Sequence, residues 1–483
     1  MSDILKSYDV NERILDEVKS DMEQGNQQYD DIINVINQQS TGTFKALSDI
    51  AKVSFLNQGI TYALYKDQKS IEQIFPFDLV PRLIDGNEWS RLREGLIQRN
   101  TALNLFLKDV YTDGAILRDG IIPTELIKSS VHYCKIMEGF RPPGDIYCHI
   151  CGTDLIRHTD NQFYVLEDNL RNPSGVSYVL TNRIAMSRVL PEIFDQYEVE
   201  PVNNYSDKLL EMLWNISGKP LGQIFCALLT PGSYNSAYFE HTYLAQKMGI
   251  ELVEGRDLVV QDDHVYIKAI GGPIKVDVIY RRIDDDFLDP AVFNSDSLLG
   301  VKGLMEVYKK GNVVIINAPG TGISDDKAVC SYVPDMIKYY LDQDPIIPNV
   351  PTYICSKEDD LQYVREHISD MVVKPVDMSG GYGVTICDQL TKAEQQEVLK
   401  NIEANPRDYI AQPKMMLSTH MTYIEESGTF EPRHIDLRTF TILGGKSPFV
   451  LNGGLTRTAL RKGSLIVNSS QGGGSKDTWV LKE

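Results

Sequence analysis

The stretch from Cys148 to Arg183, CHICGTDLIRHTDNQFYVLEDNLRNPSGVSYVLTNR, constrains this chain more than any other. QFYVLED is apolar, β-branched or aromatic at most positions and reads as a buried strand. A turn at Thr159-Asp160-Asn161 precedes it, and Asp154-Leu155-Ile156-Arg157 reads as the strand before that turn. A hairpin of this length sets Asp154 beside Glu167. Glu167 and Asn169 are two apart and share one face of their strand. Three hard oxygen ligands then converge, two of them anionic, which suits Mg²⁺ bound jointly by carboxylates and nucleotide phosphates. From spacing alone, two solvated acids on a hairpin remain an equal alternative.

Composition narrows the classes. A net charge of −19 over 483 residues argues against nucleic acid or an anionic membrane as a main partner. The N-terminal MSDILKSYDVNERILDEVKSDMEQ lacks the pattern of a signal peptide. No apolar run approaches the roughly 18 residues of a membrane span. Seven scattered cysteines fit reduced thiols, so a cytoplasmic location is expected. Cys148 and Cys151 flank His149 in a C-x-x-C, but no second ligand pair accompanies them, and buried thiols are favoured over a structural metal.

Residues 1–145 read as mainly helical. ERILDEVKSDM, DDIINVINQ, SRLREGLIQRNTALNLFLKDVYTDG and PTELIKSSVHYCKIM carry helical spacing, and Phe75 to Pro81 reads as a proline-stiffened loop. Residues 146–218 hold the hairpin and two helices. Residues 219–320 alternate strand and helix, predicting an α/β domain whose ligands lie beyond the carboxyl ends of its strands. Three such ends, at Thr230-Pro231-Gly232-Ser233, Arg281 to Asp286 and Asn317-Ala318-Pro319-Gly320, are expected to form a substrate rim. Arg281 and Arg282 point to opposite faces of one strand. Either one of them reaches a substrate anion while the other pairs with Asp284 to Asp286, or both belong to a structural network.

Residues 321–483 carry features suited to a nucleotide. Ser-Asp-Asp caps a helix with Lys327 in its first turn, a position that a bound phosphate would favour. MVVK is a buried strand ending on Lys374. The loop Ser379-Gly380-Gly381-Tyr382-Gly383 and the strand VTIC follow, making a flap whose backbone N–H groups can approach phosphates. It is no Walker A loop, since the lysine precedes the glycines.

The string DxxxxxDNQFYVLEDN resembles the metal-binding end of ATP-grasp ligases such as D-alanine–D-alanine ligase. VLEDNLRNPSGVSYVLTNR, RHxDLRxF, GGLTR and NSSQGGGSKDTWVL are similar to circularly permuted (type 2) ATP-grasp proteins related to the synthetase part of glutathionylspermidine synthase. The resemblance covers roughly residues 140–483 and orders the parts: 146–218 as the permuted metal-binding segment, 219–320 as an α/β pre-ATP-grasp substrate domain, 321–483 as the nucleotide-binding region. The implied fold is α/β (α+β), with an N-terminal helical region.

The resemblance implies ATP and Mg²⁺, with the metal on Asp154, Glu167 and Asn169. It implies nucleotide contacts from Lys327, Lys374, Ser379, Gly380, Gly381, Gly383 and Gln412, the last at the adenine hinge. Catalytic assistance is assigned to Lys374, Arg438 and Arg457. Arg171, Ser174, Arg281, Arg282, Asn468 and Gln471 are candidate substrate contacts, with Asp436 also expected at the site. Trp479, His149, His158, His420 and His434 are expected to be structural. The implied activity is a carboxylate–amine ligase of peptide type, working through an acyl phosphate. A small-molecule kinase and a non-catalytic ATP-binding scaffold are the alternatives. The family also suggests companion helical or transglutaminase-like proteins.

Overall fold

The computed structural model describes residues 8–66, 69–220, 222–378, 380–468 and 473–482. Three sheets position the site. The largest runs Phe77–Ile84, Gly474–Val480, Leu455–Thr458, Thr429–Ile442, Ile150–Arg157, Phe163–Asn169, with Thr419–Ile424 and Phe449–Val450 also paired to Thr429–Ile442. All pairs are antiparallel except the first, where Phe77–Ile84 lies parallel to Gly474–Val480. Helix Gly86–Tyr111 packs against this sheet at Thr429–Ile442, and helix Val176–Val189 packs at Gly474–Val480. Asp85 caps the former, accepting from Asn87 and Glu88. Trp89, Leu92, Leu96, Leu103 and Phe106 then recur at helical spacing and are buried.

The second sheet is fully parallel, in the order Val314–Ile316, Val278–Arg281, Cys226–Leu229, Glu251–Val253. Cys226–Leu229 connects through helix Tyr238–Met248 to a strand on one side, while Val278–Arg281 lies on its other side. The strand order therefore reverses between Cys226–Leu229 and Val278–Arg281, and a crevice opens beyond their carboxyl ends. The third sheet, Tyr353–Ile354, Tyr409–Pro413, Met371–Pro375, Thr385–Ile386, is antiparallel. Met371 and Val373 face a core shared with Leu361, Val364 and Leu399, so Val372 and Lys374 face the other way.

The first region is less helical than expected. Helices Glu17–Gln24, Asp30–Gln38 and Gly86–Tyr111 form as predicted, and Thr41–Asn57 adds another. Thr61–Lys66 and Lys69–Ile74 pair as a hairpin, and Phe77–Ile84 is a strand rather than a loop. Pro81 is tolerated because this strand lies at the sheet edge and its register breaks opposite Asp477, between Lys476 and Thr478. The helix expected from Pro123 stops at Lys128, where Ser130 turns aside to bond Asp326 at 2.9 Å.

Candidate active site

The hairpin forms in the predicted register, with Asp154 opposite Glu167 and Gly152 opposite Asn169, and an irregularity after Asp154. Between the two predicted ligands, Asp168 points to the opposite face. There it accepts from Arg99 Nη2 at 2.6 Å and Nε at 2.9 Å, from Thr153 Oγ1 at 3.1 Å and from Cys330 Sγ at 3.3 Å. This buried clamp fixes the twist of the strand and so aims Glu167 and Asn169 at the cleft. Asn317 adds a second clamp. Its Oδ1 accepts from the N–H groups of His149 and Ile150, and its Nδ2 donates to the carbonyls of Ile150 and Leu170.

Strand Thr429–Ile442 runs alongside and sets Arg438 opposite Asp154 and Asp436 opposite Arg457. Asp154 receives Arg438 on both oxygens, at 2.6 and 2.7 Å, and Arg457 Nη2 at 2.8 Å. Arg457 also grips Asp436, with Nε at 2.9 Å, and donates to Asn468 Oδ1 at 2.6 Å. Arg438 reaches Glu167 Oε1 at 3.8 Å. Burial alone would raise the Asp154 carboxyl, but Arg438 and Arg457 hold it well below the usual range, so it is ionised. Burial pushes Asp436 up despite its partner Arg457.

The third sheet closes the cleft. Lys374 lines it, and among the described residues its Nζ has no hydrogen-bond or ion-pair partner. Burial lowers its pKa to about 8, with Lys327 adding to the effect and Glu167 opposing it. Lys327 is the first residue of a short helix capped by Asp326, which accepts from Ala328 N–H, and its Nζ donates to the carbonyl of Met378. Gln412 is buried beside the cleft and donates to Thr352 Oγ1 at 2.9 Å. The flap is a hairpin between Met371–Pro375 and Thr385–Ile386. Gly380, Gly381 and Gly383 have φ of 69°, 76° and 71°, and a Cβ on Gly383 would come within 2.7 Å of Pro375. Ser379 and Gln471 lie outside the described residues.

These groups line one cleft of about 920 Å³, mouth included. Its lining is apolar at Ile156, Leu166, Val372, Ile386, Met415 and Leu417 and charged at Glu167, Lys327, Lys374 and Arg457. A second cleft of about 1250 Å³ joins it along Tyr382, Arg457 and Asn468, and contains Arg438, Ser174 and Asn169. A third, of about 990 Å³, joins the second along Asn169, Asn172 and Ser174 and occupies the crevice of the parallel sheet.

Not every candidate reaches a cleft. Arg281 is wholly buried, spending its guanidinium on the carbonyls of Asn317, Ile283 and Ala318 and on Asp285 at 2.7 Å. Arg282 lines the third cleft but pairs with Glu240 at 3.0 Å and donates to Pro173 O, Tyr280 and Ser174. The structural alternative holds for Arg281. Asn317, expected on a substrate rim, is the buried clamp described above. Trp479 is buried against Phe194 and Tyr197, and all seven cysteines are free and buried. His149 is fully buried, with its pKa lowered to about 3 by that burial.

The residues at the hairpin fit a Mg²⁺ ion in donor chemistry. Asp154 spends three of roughly four lone-pair sites on arginines. Among the described residues Glu167 has only its 3.8 Å ion pair, so its carboxylate is open to a cation. Among the described residues no group of three or more His, Cys, Asp or Glu is placed to hold a metal, so a cation here would need phosphate or water oxygens too.

Residues 81–459 match the family described as circularly permuted ATP-grasp type 2. The chain belongs to the circularly permuted ATP-grasp type 2 family. Membership places it among the ATP-grasp ligases, enzymes that form C–N bonds and as a family use ATP and Mg²⁺. It is 47% identical to an uncharacterized protein of Synechocystis sp. over 99% of both chains. It is 50% identical to an uncharacterized protein of Mycobacterium tuberculosis over 90% of this chain and 78% of that one. It is 40% identical to a Frankia casuarinae protein provisionally named glutamate–cysteine ligase 2-2, covering 88% of this chain and 48% of that one. A glutathione synthetase-like effector of Globodera pallida shares the fold, with a TM-score of 0.61 at 13% identity over 92% of this chain and 98% of that one. No helix among the described residues is long and apolar enough to cross a membrane.

Sequence reasoning missed the supports. Arg99 and Glu240 carry no motif, and Asn317 was expected on a rim rather than in a buried clamp. Asp168 did leave a signal: a carboxylate that alternates with two site residues on a strand faces the core and requires a buried cation.

Proposed function

We propose that this ATP-grasp ligase activates a small-molecule or peptide carboxylate as an acyl phosphate and transfers the acyl group to an amine. The observation that carries this reading is the convergence of Glu167, Lys327, Lys374 and Arg457, from four separate segments, on one cleft that also has an apolar lining. ATP would lie with adenine against that apolar lining near Gln412 and its phosphates toward the two lysines and the flap amides. Lys374, the cation without a partner, would stabilise charge on the transferring phosphoryl group. Asp154, Glu167 and Asn169 would hold Mg²⁺, which supplies neutralisation of phosphate charge.

The substrate carboxylate would enter from the second cleft. A carboxylate oxygen attacks the γ-phosphorus, the bond to the β-phosphate oxygen breaks, and ADP leaves. Arg438 and Arg457, locked in register by Asp154 and Asp436, orient the reacting group. The amine then attacks the acyl carbon, phosphate departs, and the ammonium proton passes to solvent. In this reading residues 146–218 and 321–483 bind nucleotide and metal, and 219–320 faces the substrate. The Frankia relative's name supports glutamyl compounds as first substrates to try. Seven free, buried thiols support a reducing, cytoplasmic setting. Companion helical or transglutaminase-like proteins stay part of the proposal.

The test replaces the unknown amine by hydroxylamine. Purified protein, Mg-ATP and a pool of carboxylates, glutamyl compounds included, should give acyl hydroxamate and stoichiometric ADP, and Lys374→Ala and Glu167→Ala should give neither. ADP release that is carboxylate-dependent but yields no hydroxamate would replace the ligase by a kinase.

A further inference from the structure

The third cleft lies where the strand order of the parallel sheet reverses, and its lining comes from both sides of that reversal. Pro231 and Asn235 follow one strand, and Arg282 and Asp284 follow its neighbour. It touches neither Lys374 nor Arg438, and it opens into the second cleft through Asn169, Asn172 and Ser174. Polar groups there are left wanting. Among the described residues Asn172 Oδ1 and Asn169 Nδ2 are buried without hydrogen-bond partners on this seam, although Asn172 Nδ2 donates to Asp284. A native fold keeps few such atoms, and their clustering at a cavity points to a ligand.

The charges say which kind. Arg282 is neutralised by Glu240. Arg171 is different: among the described residues its side chain has one ion contact, Nε to Asp284 Oδ1 at 3.4 Å. Its stem rests on Gly322, where a Cβ would stand 3.4 Å from Cδ, and its backbone N–H is held by Asp325 at 3.4 Å. The two terminal amino groups of a seated guanidinium are thus available as a fork for a carboxylate. Asp284, with its side chain 42% exposed, stands beside it and accepts from Asn172 Nδ2 at 2.8 Å through the same Oδ1, leaving Oδ2 for a ligand, and Asp325 also lines the cleft. A phosphate dianion would meet these two acids, whereas a carboxylate carrying an adjacent ammonium meets a complementary pair.

We infer that the third cleft binds the amino-acid end of the acyl donor, with Arg171 gripping an α-carboxylate that does not react and Asp284 facing its ammonium. This rests on the ligase reading for which substrate is meant. It restricts the acyl donor to an amino acid or short peptide bearing a second, free carboxylate. Arg171 is then a specificity-determining residue and touches no reacting atom.

The experiment is calorimetric titration of the full chain, without nucleotide, by L-glutamate, γ-glutamylcysteine and glutathione, each beside its glutamyl α-amide. At least one free acid should bind ten-fold or more tighter than its amide. Arg171→Gln should shrink that ratio to within three-fold, and Arg171→Lys should fall between. Mg-ATP binding by Arg171→Gln verifies its fold. Independently, phenylglyoxal labelling of wild-type Arg171, read by mass spectrometry, should be suppressed by the binding acid and not by its amide. Equal binding of acid and amide, an unchanged ratio in Arg171→Gln, unprotected labelling, or no binding by any of the three acids overturns the proposal. Arg171-dependent acid binding with no Mg-ATP binding would sink the ligase reading and leave the cleft assigned. Hydroxamate formation without this discrimination would do the reverse.

Discussion

Arg99 Nη2 lies 2.6 Å from Asp168 Oδ2, on the face of the strand Phe163–Asn169 opposite to the one that carries Glu167 and Asn169. The pair is buried on both sides. Removing the cation leaves a carboxylate without water or counter-charge. Arg99→Ala should therefore cost about 3–5 kcal/mol of stability in urea unfolding. A loss under ~1 kcal/mol would show that the clamp does not fix the strand.

Lys374 should govern the pH dependence of nucleotide use. Burial and Lys327 bring its pKa down to about 8 in the free protein, so it is charged below that pH and neutral above it. kcat/KM for ATP, which reports the free enzyme, should fall as pH rises through about 8. The limb should vanish in Lys374→Gln along with most of the rate. A wild-type profile flat from pH 7 to 9.5 would remove Lys374 from the phosphate contacts.

Arg457 links Asp154, Asp436 and Asn468 through all three of its nitrogens, with Nη2 shared by the two carboxylates. Lysine keeps the charge but not the fork. Arg457→Lys should lower hydroxamate formation by about 10²–10³-fold, with Mg-ATP affinity changed less than about three-fold. Equal losses in ATP binding and turnover would place Arg457 on the nucleotide rather than on the acyl group.

Acid stability should depend on Glu17, whose partner Arg82 also donates to the carbonyl of Asp436 at 3.2 Å behind the cleft. Burial would raise the Glu17 carboxyl, but Arg82 and Arg157 pull it to about 2. Because the folded value is depressed, its stabilisation is full above the unfolded value of about 4.3 and is lost as pH falls toward 2. The difference corresponds to roughly 3 kcal/mol. Urea midpoints of the wild type should drop across that window, and Glu17→Gln should show a shallower drop from a lower plateau.

The flap glycine offers a local test. At Gly383, φ is 71° and the space for a Cβ is filled by Pro375. Gly383→Ala should raise the KM for ATP several-fold and cost about 1–2 kcal/mol, read by thermal unfolding. Unchanged kinetics would mean the flap does not approach the phosphates.

What the sequence made legible follows periodicity and turns. The hairpin register and the Gly-rich flap are local, and short-range pattern was enough; for 219–320 it showed the alternation of strand and helix but not which strands pair. Phe77–Ile84 was hidden because its partner lies at the far end of the chain and its proline suggested a loop. Arg281 and Arg282 look alike in sequence and differ wholly in place, since alternate strand faces send one to a carbonyl cage and the other to a crevice. Asp154 shows the same limit: its spacing announced a ligand, while its hold on two arginines depends on a cross-strand neighbour almost three hundred positions away.

The pairing of Phe77–Ile84 with Gly474–Val480 gives the chain a birth order problem. The ribosome delivers the first strand long before its companion. Until then the nascent protein carries an unclosed flank that offers backbone bonds to any passing strand. The long helix Gly86–Tyr111 emerges early enough to shelter apolar surface during that wait, and the flank is sealed when Gly474–Val480 pairs.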